Sequence, residues 1–195
     1  MNDHELARKL ARETGTLLIG LRNHAASLSG GEDETHSVLA EEVLGSEGDR
    51  VAHDYLMEQF SIHRPTDVVL SEEGDLEVAR LDAKRVWIID PLDGTAQYST
   101  GGEDFAVHIA LWEASSPNPS QISAASLAVP ARKELWSMDE PVQRYQPIGA
   151  PIRILVSRSR PPRELPAVIK KLEERKNLKA SVNELLQKNI QIKNE

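Results

Sequence analysis

The stretch that decides the fold reads Val86-Trp87-Ile88-Ile89-Asp90-Pro91-Leu92-Asp93-Gly94-Thr95. Residues 86–89 are an unbroken run of β-favouring apolar residues, which predicts a buried strand. The proline fixes the backbone and the glycine permits a turn that a Cβ would oppose, so a tight turn is expected before a helix that opens at Thr95. Two carboxylates, Asp90 and Asp93, then lie on one short and rigid arc.

Asp90 and Asp93 are a suitable ligand pair for Mg²⁺, which prefers hard oxygen ligands and is commonly shared between a few carboxylates and a substrate phosphate. The backbone N–H groups of Gly94 and Thr95 could face that phosphate. A plain surface turn is the alternative, since Asp, Pro, Gly and Thr all favour turns. A chance match to Asp-Pro-x-Asp-Gly-Thr in a chain of this length has odds on the order of one in ten thousand, so metal binding is preferred.

A second apolar run, residues 68–70, also ends in acid, at Glu72 and Glu73. If neighbouring strands of one sheet end at the same edge, Glu72 joins Asp90 and Asp93 there. Three carboxylates without a neutralising charge would repel one another. Glu73 is expected in an outer shell of the site or in solvent.

These motifs resemble those of the inositol monophosphatase superfamily, whose members share a Glu-Glu element and a Trp-Ile-Ile-Asp-Pro-x-Asp-Gly-Thr element. Leu92 inside the motif and the segments 98–100 and 103–111 are similar to the CysQ-type 3'(2'),5'-bisphosphate nucleotidases. Those enzymes hydrolyse 3'-phosphoadenosine 5'-phosphate to AMP. The likeness runs over residues 6–172.

The resemblance implies roles for individual residues. Glu72, Asp90 and the carbonyl of Leu92 would bind one metal ion, and Asp90 and Asp93 would bind a second. Thr95 would orient the attacking water. The implied catalytic residues are Glu72, Asp90 and Thr95, and the implied substrate-binding residues are Asp93, Gly94 and Thr95.

A further metal position is implied at Asp49. The stretch around it is similar to the Thr-x-Ala-Asp start of a family helix, with Ser46 in place of Thr and Gly48 in place of Ala. This position is expected to bind metal more weakly than the positions at Asp90.

The function that the resemblance implies is Mg²⁺-dependent hydrolysis of a small phosphorylated substrate, 3'-phosphoadenosine 5'-phosphate or an inositol phosphate, by activated water. Bisphosphate nucleotidase is preferred, and inositol-phosphate phosphatase is an alternative. A second alternative is an inactive, truncated member that keeps a metal half-site, because none of the three tryptophans is followed by the Asp of the family's later Trp-Asp element. A haloacid-dehalogenase-type phosphatase with an Asp nucleophile is the third.

Composition excludes several classes of protein. Of 195 residues, 39% are hydrophobic, none is cysteine, and the formal net charge is -8. A disulfide framework and a thiolate metal site are therefore excluded, and no apolar stretch reaches the roughly 18 residues of a membrane span. A nucleic-acid polymer is not expected as a partner, since phosphate backbones require clustered Lys and Arg. These features predict a cytoplasmic protein without membrane attachment and allow a homodimer.

Residue periodicity predicts helices packed on one largely antiparallel sheet. Helices are expected at 3–27 and 49–62 around a Gly-rich acidic loop at 29–45, and strands at 67–71, 86–90, 105–112, 121–129 and 133–138. A linker at 141–151, a strand at 153–157, a helix at 161–172 and an atypical basic tail follow.

The expected fold class is α+β. The resemblance implies a layered α-β-α-β-α sugar-phosphatase-type fold with a largely antiparallel first sheet and a truncated second α/β half. The expected domains are an N-terminal α+β metal-binding domain at 1–140 and a partial C-terminal α/β domain with an atypical tail at 141–195.

Overall fold

The chain folds into helices and one sheet, and the computed structural model describes residues 1–28, 34–74, 81–117, 121–140, 156–157 and 161–174. The helices are α1 (Asp3–Leu28), α2 (Glu34–His63), α3 (Thr95–Ser99) and α4 (Leu165–Glu174). The strands are β1 (Val68–Ser71), β2 (Arg85–Asp93), β3 (Ala106–Glu113), β4 (Ile122–Val129) and β5 (Glu134–Ser137). A short 3₁₀ helix, Pro130–Arg132, joins β4 to β5.

The sheet has the strand order β1-β2-β3-β4-β5. β1 is parallel to β2, and each of the other neighbouring pairs is antiparallel. The predicted fold class is therefore confirmed as a mixed α+β arrangement with a mostly antiparallel sheet. Contacts divide the chain into two compact units, Met1–Pro141 and Val142–Glu195, and the whole sheet belongs to the first.

One face of the sheet is buried against α1 and α2. Alternate strand residues point into this interface because successive side chains of a strand face opposite ways. The strands contribute Trp87, Ile89, Val107, Ile109 and Leu111, and the helices contribute Leu6, Leu10, Leu18, Leu56 and Phe60. Burying each large apolar side chain stabilises the fold by about 1.5–3 kcal/mol. The side chain of Trp87 also packs against Phe60 in a tilted arrangement, with 4.9 Å between ring centroids, and its Nε1–H donates to Asp67 over 2.9 Å.

α2 is longer than the sequence predicts. The loop expected at 29–45 is wrong from Glu34 onward, where α2 begins. Residues 39–44 are mostly Leu, Ala and Glu, and their helix propensity outweighs the one glycine in the helical part of that range, Gly45. An isolated glycine costs a helix only about 1 kcal/mol relative to alanine, which tertiary contacts can offset.

Two glycines of α2 allow that helix to lie unusually close to α3 and the turn before it. A Cβ at Gly48 would lie 2.7 Å from Tyr98 Cε1 and 2.9 Å from Leu92 Cδ2. A Cβ at Gly45 would lie 3.0 Å from Thr95 Cγ2. Gly48 therefore makes room for the buried Tyr98 ring beside the turn.

The five predicted strands are all present, with one extension. β2 continues through Pro91 to Asp93, with a register shift against β3 where the proline lacks an N–H. The helix expected at 161–172 begins only at Leu165, because Pro166 has no N–H to donate to a preceding turn and is tolerated only in the first turn of a helix.

Other expectations fall on parts of the chain that are not described. The linker at 141–151 and the tail beyond 174 lie outside the described residues, and the strand at 153–157 is described only at 156 and 157, which belong to no strand. Within the described part of the chain, no helix is both long and apolar enough to cross a membrane.

The close packing of α2 generates a stability prediction. Gly48→Ala should lower the free energy of unfolding by about 1–3 kcal/mol, because the added methyl group overpacks the contact with Tyr98 and Leu92. Gly20→Ala in α1 is the matched control, since a Cβ there meets nothing within 4 Å. That substitution should raise stability by about 0.5–1 kcal/mol. Urea unfolding measures both, and equal effects would contradict the close approach.

Candidate active site

Two acidic strand ends meet at one edge of the sheet. β1 and β2 are parallel, with Ser71 opposite Ile89, so both strands end at the same edge. The Glu72 N–H donates to the Ile89 carbonyl over 3.1 Å and continues the ladder one step beyond β1. Glu72 and Asp90 are therefore neighbours.

The end of β2 is held by a hydrogen bond within the motif. The Leu92 N–H donates to Asp90 Oδ1 over 3.2 Å. The register against β3 shifts between Asp90 and Asp93, so the chain bulges there. Such bulges re-aim side chains and are common beside functional sites.

Gly94 is required by the turn that follows. Its φ is +85°, in the left-handed region that favours glycine, and a Cβ there would lie 2.7 Å from the Asp104 carbonyl oxygen. The Tyr98 N–H donates back to the Gly94 carbonyl over 2.9 Å and closes the first turn of α3.

The Thr95 hydroxyl joins this turn to α2. Its Oγ1 lies 3.3 Å from Asp49 Oδ1 and 3.2 Å from the Leu92 carbonyl oxygen. Because a hydroxyl has one proton, it donates to only one of the two at a time. Asp49 thus reaches the same edge of the sheet from a different element.

Asp90 is the most perturbed acid of the cluster. Burial raises the pKa of Asp90 to about 7, together with a hydrogen bond to the Glu72 carboxyl and the charges of Glu72 and Asp93. The Leu92 N–H opposes this shift because it stabilises the charged form. The carboxylates at this edge therefore repel one another when all are ionised.

Asp49 shares this environment. Burial raises its pKa to about 6, and the charges of Glu73 and Glu72 act in the same direction, against the hydrogen bond from Thr95. Glu73, expected from the sequence at the edge of the site or in solvent, is exposed but close enough to act on Asp49.

The oxygen atoms at this site are of the type that a hard divalent cation prefers, but they do not surround a common point. Within the described ranges, no group of three or more His, Asp or Glu side chains is placed to hold a metal ion. The two carboxyl groups with raised pKa values, Asp49 and Asp90, and the acids whose charges act on them are nevertheless those a cation would neutralise: Glu72, Glu73 and Asp93. Mg²⁺ usually keeps several waters and takes one or two carboxylates plus a substrate phosphate, which matches an open set of ligands.

Two histidines outside the predicted set of site residues lie at this edge. His53 Nδ1 is 2.8 Å from Ser71 Oγ, directly before Glu72. His108 Nε2 is 3.3 Å from Asp93 Oδ2, and this pair is largely exposed. One sequence pattern could have indicated each histidine. His53 follows Asp49 by one helical turn and so lies on the same helix face, and His108 is an exposed position between buried residues of its strand.

The sequence-predicted residues thus fall into one region. The structure brings Glu72, Asp90 and Asp93 together at the sheet edge and joins Asp49 to Thr95 across the turn. The Leu92 carbonyl and Gly94 lie in the same turn. Their roles as metal ligands, catalytic residues and substrate contacts stay predictions.

Several curated proteins that are similar to this chain are named as phosphatases. The chain is similar to the 3'-phosphoadenosine 5'-phosphate phosphatase of Mycobacterium tuberculosis, with 48% identity over 123 residues, which are 61% of this chain and 46% of the relative. It is 39% identical to the protein of the same name from Mycobacterium leprae over 180 residues, which are 88% of this chain and 62% of the relative. The chain spans about half to two-thirds of the length of these relatives.

Solved structures support the fold. CysQ from Bacteroides thetaiotaomicron, a bacterial member of the inositol monophosphatase family, superposes with a TM-score of 0.68. The match covers 92% of this chain and 71% of that chain at 20% sequence identity, a level at which only the fold is established.

The profile of the inositol monophosphatase family matches residues 3–143, which include the whole acidic cluster. A haloacid-dehalogenase-type phosphatase is thereby set aside. The chain belongs to the inositol monophosphatase family.

Proposed function

We propose that this chain is a Mg²⁺-dependent phosphomonoesterase, a 3'(2'),5'-bisphosphate nucleotidase that converts 3'-phosphoadenosine 5'-phosphate to AMP. The observation that supports the proposal is the perturbed pKa of the Asp90 carboxyl group. Burial raises it to about 7, together with a hydrogen bond to the Glu72 carboxyl and the charges of Glu72 and Asp93. Such a group is poorly stabilised by its surroundings as an anion, and a divalent cation would supply the missing charge.

The proposed ligands follow the arrangement of the site. Glu72, Asp90 and the carbonyl of Leu92 would hold one ion, Asp90 and Asp93 a second, and Asp49 a further, weaker position. Mg²⁺ bound there would offset the negative charge of the phosphate oxygens and lower the pKa of the attacking water. All of these residues lie in the first compact unit, in keeping with the proposed metal-binding domain at 1–140.

The chain itself would position the reactants. The water oxygen bonds to phosphorus as the ester P–O bond breaks, and the leaving alkoxide takes up a proton that the water gives up. The Thr95 hydroxyl, within reach of Asp49 and Leu92, would orient the water. The N–H groups of Gly94 and Thr95 would bind phosphate oxygens, since a left-handed residue followed by a helical one aims successive N–H groups at an anion.

The substrate proposal rests on the relatives. Two mycobacterial relatives are named as phosphatases of 3'-phosphoadenosine 5'-phosphate, and the residues around Leu92 are similar to those of the nucleotidases. An inositol phosphate is the alternative substrate, since a Rhizobium meliloti relative named inositol-1-monophosphatase is 32% identical over 132 residues.

A second candidate is a metal-binding family member without turnover. It is favoured by the absence of a closed set of three acidic ligands in the described residues. The two candidates differ in activity and not in metal binding, so a rate measurement separates them.

Asp90→Asn should lower Mg²⁺-dependent hydrolysis of 3'-phosphoadenosine 5'-phosphate by about 10³-fold or more, equivalent to about 4 kcal/mol, because Asp90 would contact both ions. Phosphate release measures the rate. Asp82→Asn, the same change at an exposed position outside the cluster, is the control and should leave the rate unchanged. A wild-type chain that binds Mg²⁺ but releases no phosphate would favour the second candidate, and an Asp90→Asn variant with wild-type activity would contradict the mechanism.

Asp90→Asn should also change how the stability of the protein depends on pH. The folded-state pKa of Asp90 is raised from 3.8 to about 7, so its contribution to stability is fully present below the unfolded pKa and is lost as pH rises through about 7. In EDTA, Asp90→Asn should therefore melt several degrees above wild type at pH 8 and close to it at pH 4. Calorimetry measures the difference, with Asp82→Asn as the control. A gap independent of pH would argue against charge repulsion at the site.

Substrate preference can be measured with the wild-type chain. We expect kcat/KM for 3'-phosphoadenosine 5'-phosphate to exceed that for inositol 1-phosphate by about tenfold or more, the size of one additional charged hydrogen bond. Para-nitrophenyl phosphate serves as a reference without either recognition group. A reversed order would assign the chain to the inositol-phosphate alternative.

A further inference from the structure

His53 makes the shorter of the two histidine contacts at the sheet edge. Its Nδ1 lies 2.8 Å from Ser71 Oγ, and Ser71 is only 6% exposed. Which of the two groups donates depends on the histidine tautomer. A buried hydroxyl needs a hydrogen-bond partner, so this contact fixes both side chains.

Ser71 opens the turn that carries the acidic pair. The Gly74 N–H donates to the Ser71 carbonyl over 3.2 Å, so residues 71–74 form a tight turn with Glu72 and Glu73 at its centre. Ser71 is also the last residue of β1 paired with β2. The orientation of Glu72 and Glu73 therefore depends on how Ser71 is held.

His53 holds this turn against α2. It follows Asp49 by four residues, which places both side chains on one face of the helix. Gly74 lies beside the same part of the imidazole, where a Cβ would be 3.5 Å from His53 Cε1 and 3.5 Å from Ser71 Cβ. His53 is thus close to both the start and the end of the acidic turn, on the helix that supplies Asp49.

We propose that His53 is a positioning residue, which acts through Ser71 to direct Glu72 and Glu73 toward Asp90 and Asp49. The inference rests on the proposed function, because those carboxylates are the proposed Mg²⁺ ligands and their neighbours. Outer partners that orient ligands typically contribute 10- to 100-fold in metal affinity or activity.

The test is calorimetric titration of the full chain with Mg²⁺ in the presence of inorganic phosphate. His53→Leu and Ser71→Ala each remove the hydrogen bond and should weaken Mg²⁺ binding about 10- to 100-fold. His53→Asn can place a polar atom near the Nδ1 position and should restore binding to within about threefold of wild type, whereas His53→Gln places one near Nε2 and should not.

The Mg²⁺ affinity of a double variant distinguishes loss of this one hydrogen bond from a general loss of packing. His53→Leu combined with Ser71→Ala should bind Mg²⁺ no more weakly than the worse single variant, because both changes remove one interaction. His63→Gln, at the end of the same helix, is the control and should bind like wild type. Additive losses, or failure of His53→Asn to restore binding, would overturn the proposal.

The outcomes also separate this inference from the proposed function. If wild-type protein binds no Mg²⁺ with phosphate present, the proposed function is wrong, and the inference about His53 is wrong with it. If wild type binds and Ser71→Ala, which removes only one oxygen atom, binds equally well while folded by circular dichroism, the positioning role of His53 is wrong and the proposed function stands.

Discussion

Parallel pairing of β1 with β2 is the constraint on which the rest of the site depends. It places Glu72 and Asp90 at one edge of the sheet, whereas an antiparallel β1 would carry Glu72 to the opposite edge. The remaining pairs are antiparallel, so this one pair makes the acidic cluster possible. Each further contact at the site refines the orientation of carboxylates that the pairing has already brought together.

Close approach of α2 adds the next level of organisation. Gly48 permits contact with Tyr98 and Leu92, and the adjacent residue, Asp49, is then within hydrogen-bonding distance of Thr95. The same helix brings His53 to Ser71. One helix therefore supplies an acid of the cluster and a contact to the strand end that bears two others.

The acidic cluster lowers the stability of the fold. Partly buried carboxylates with raised pKa values cost folding free energy near neutral pH, and a fold tolerates them where the rest of the structure holds them in place. Here the supporting structure is the sheet and the apolar core that α1 and α2 form on its covered face. A ligand that neutralises the cluster returns that free energy as affinity, which fits membership of a family of phosphatases.

The sequence by itself determined the β2 strand, the turn at Asp-Pro-Leu-Asp-Gly-Thr, the Glu72 element and the mixed α+β class, because strand periodicity and turn chemistry act over a few residues. Tertiary structure alone decided the rest. α2 begins at Glu34, and Gly45, which reads locally as a loop residue, lies inside that helix and packs closely against Thr95 of α3. His53 and Ser71 are separated by 18 residues, and His108 and Asp93 by 15. Contacts between residues so far apart depend on which strands pair and on how a helix lies over them, and no local pattern encodes that.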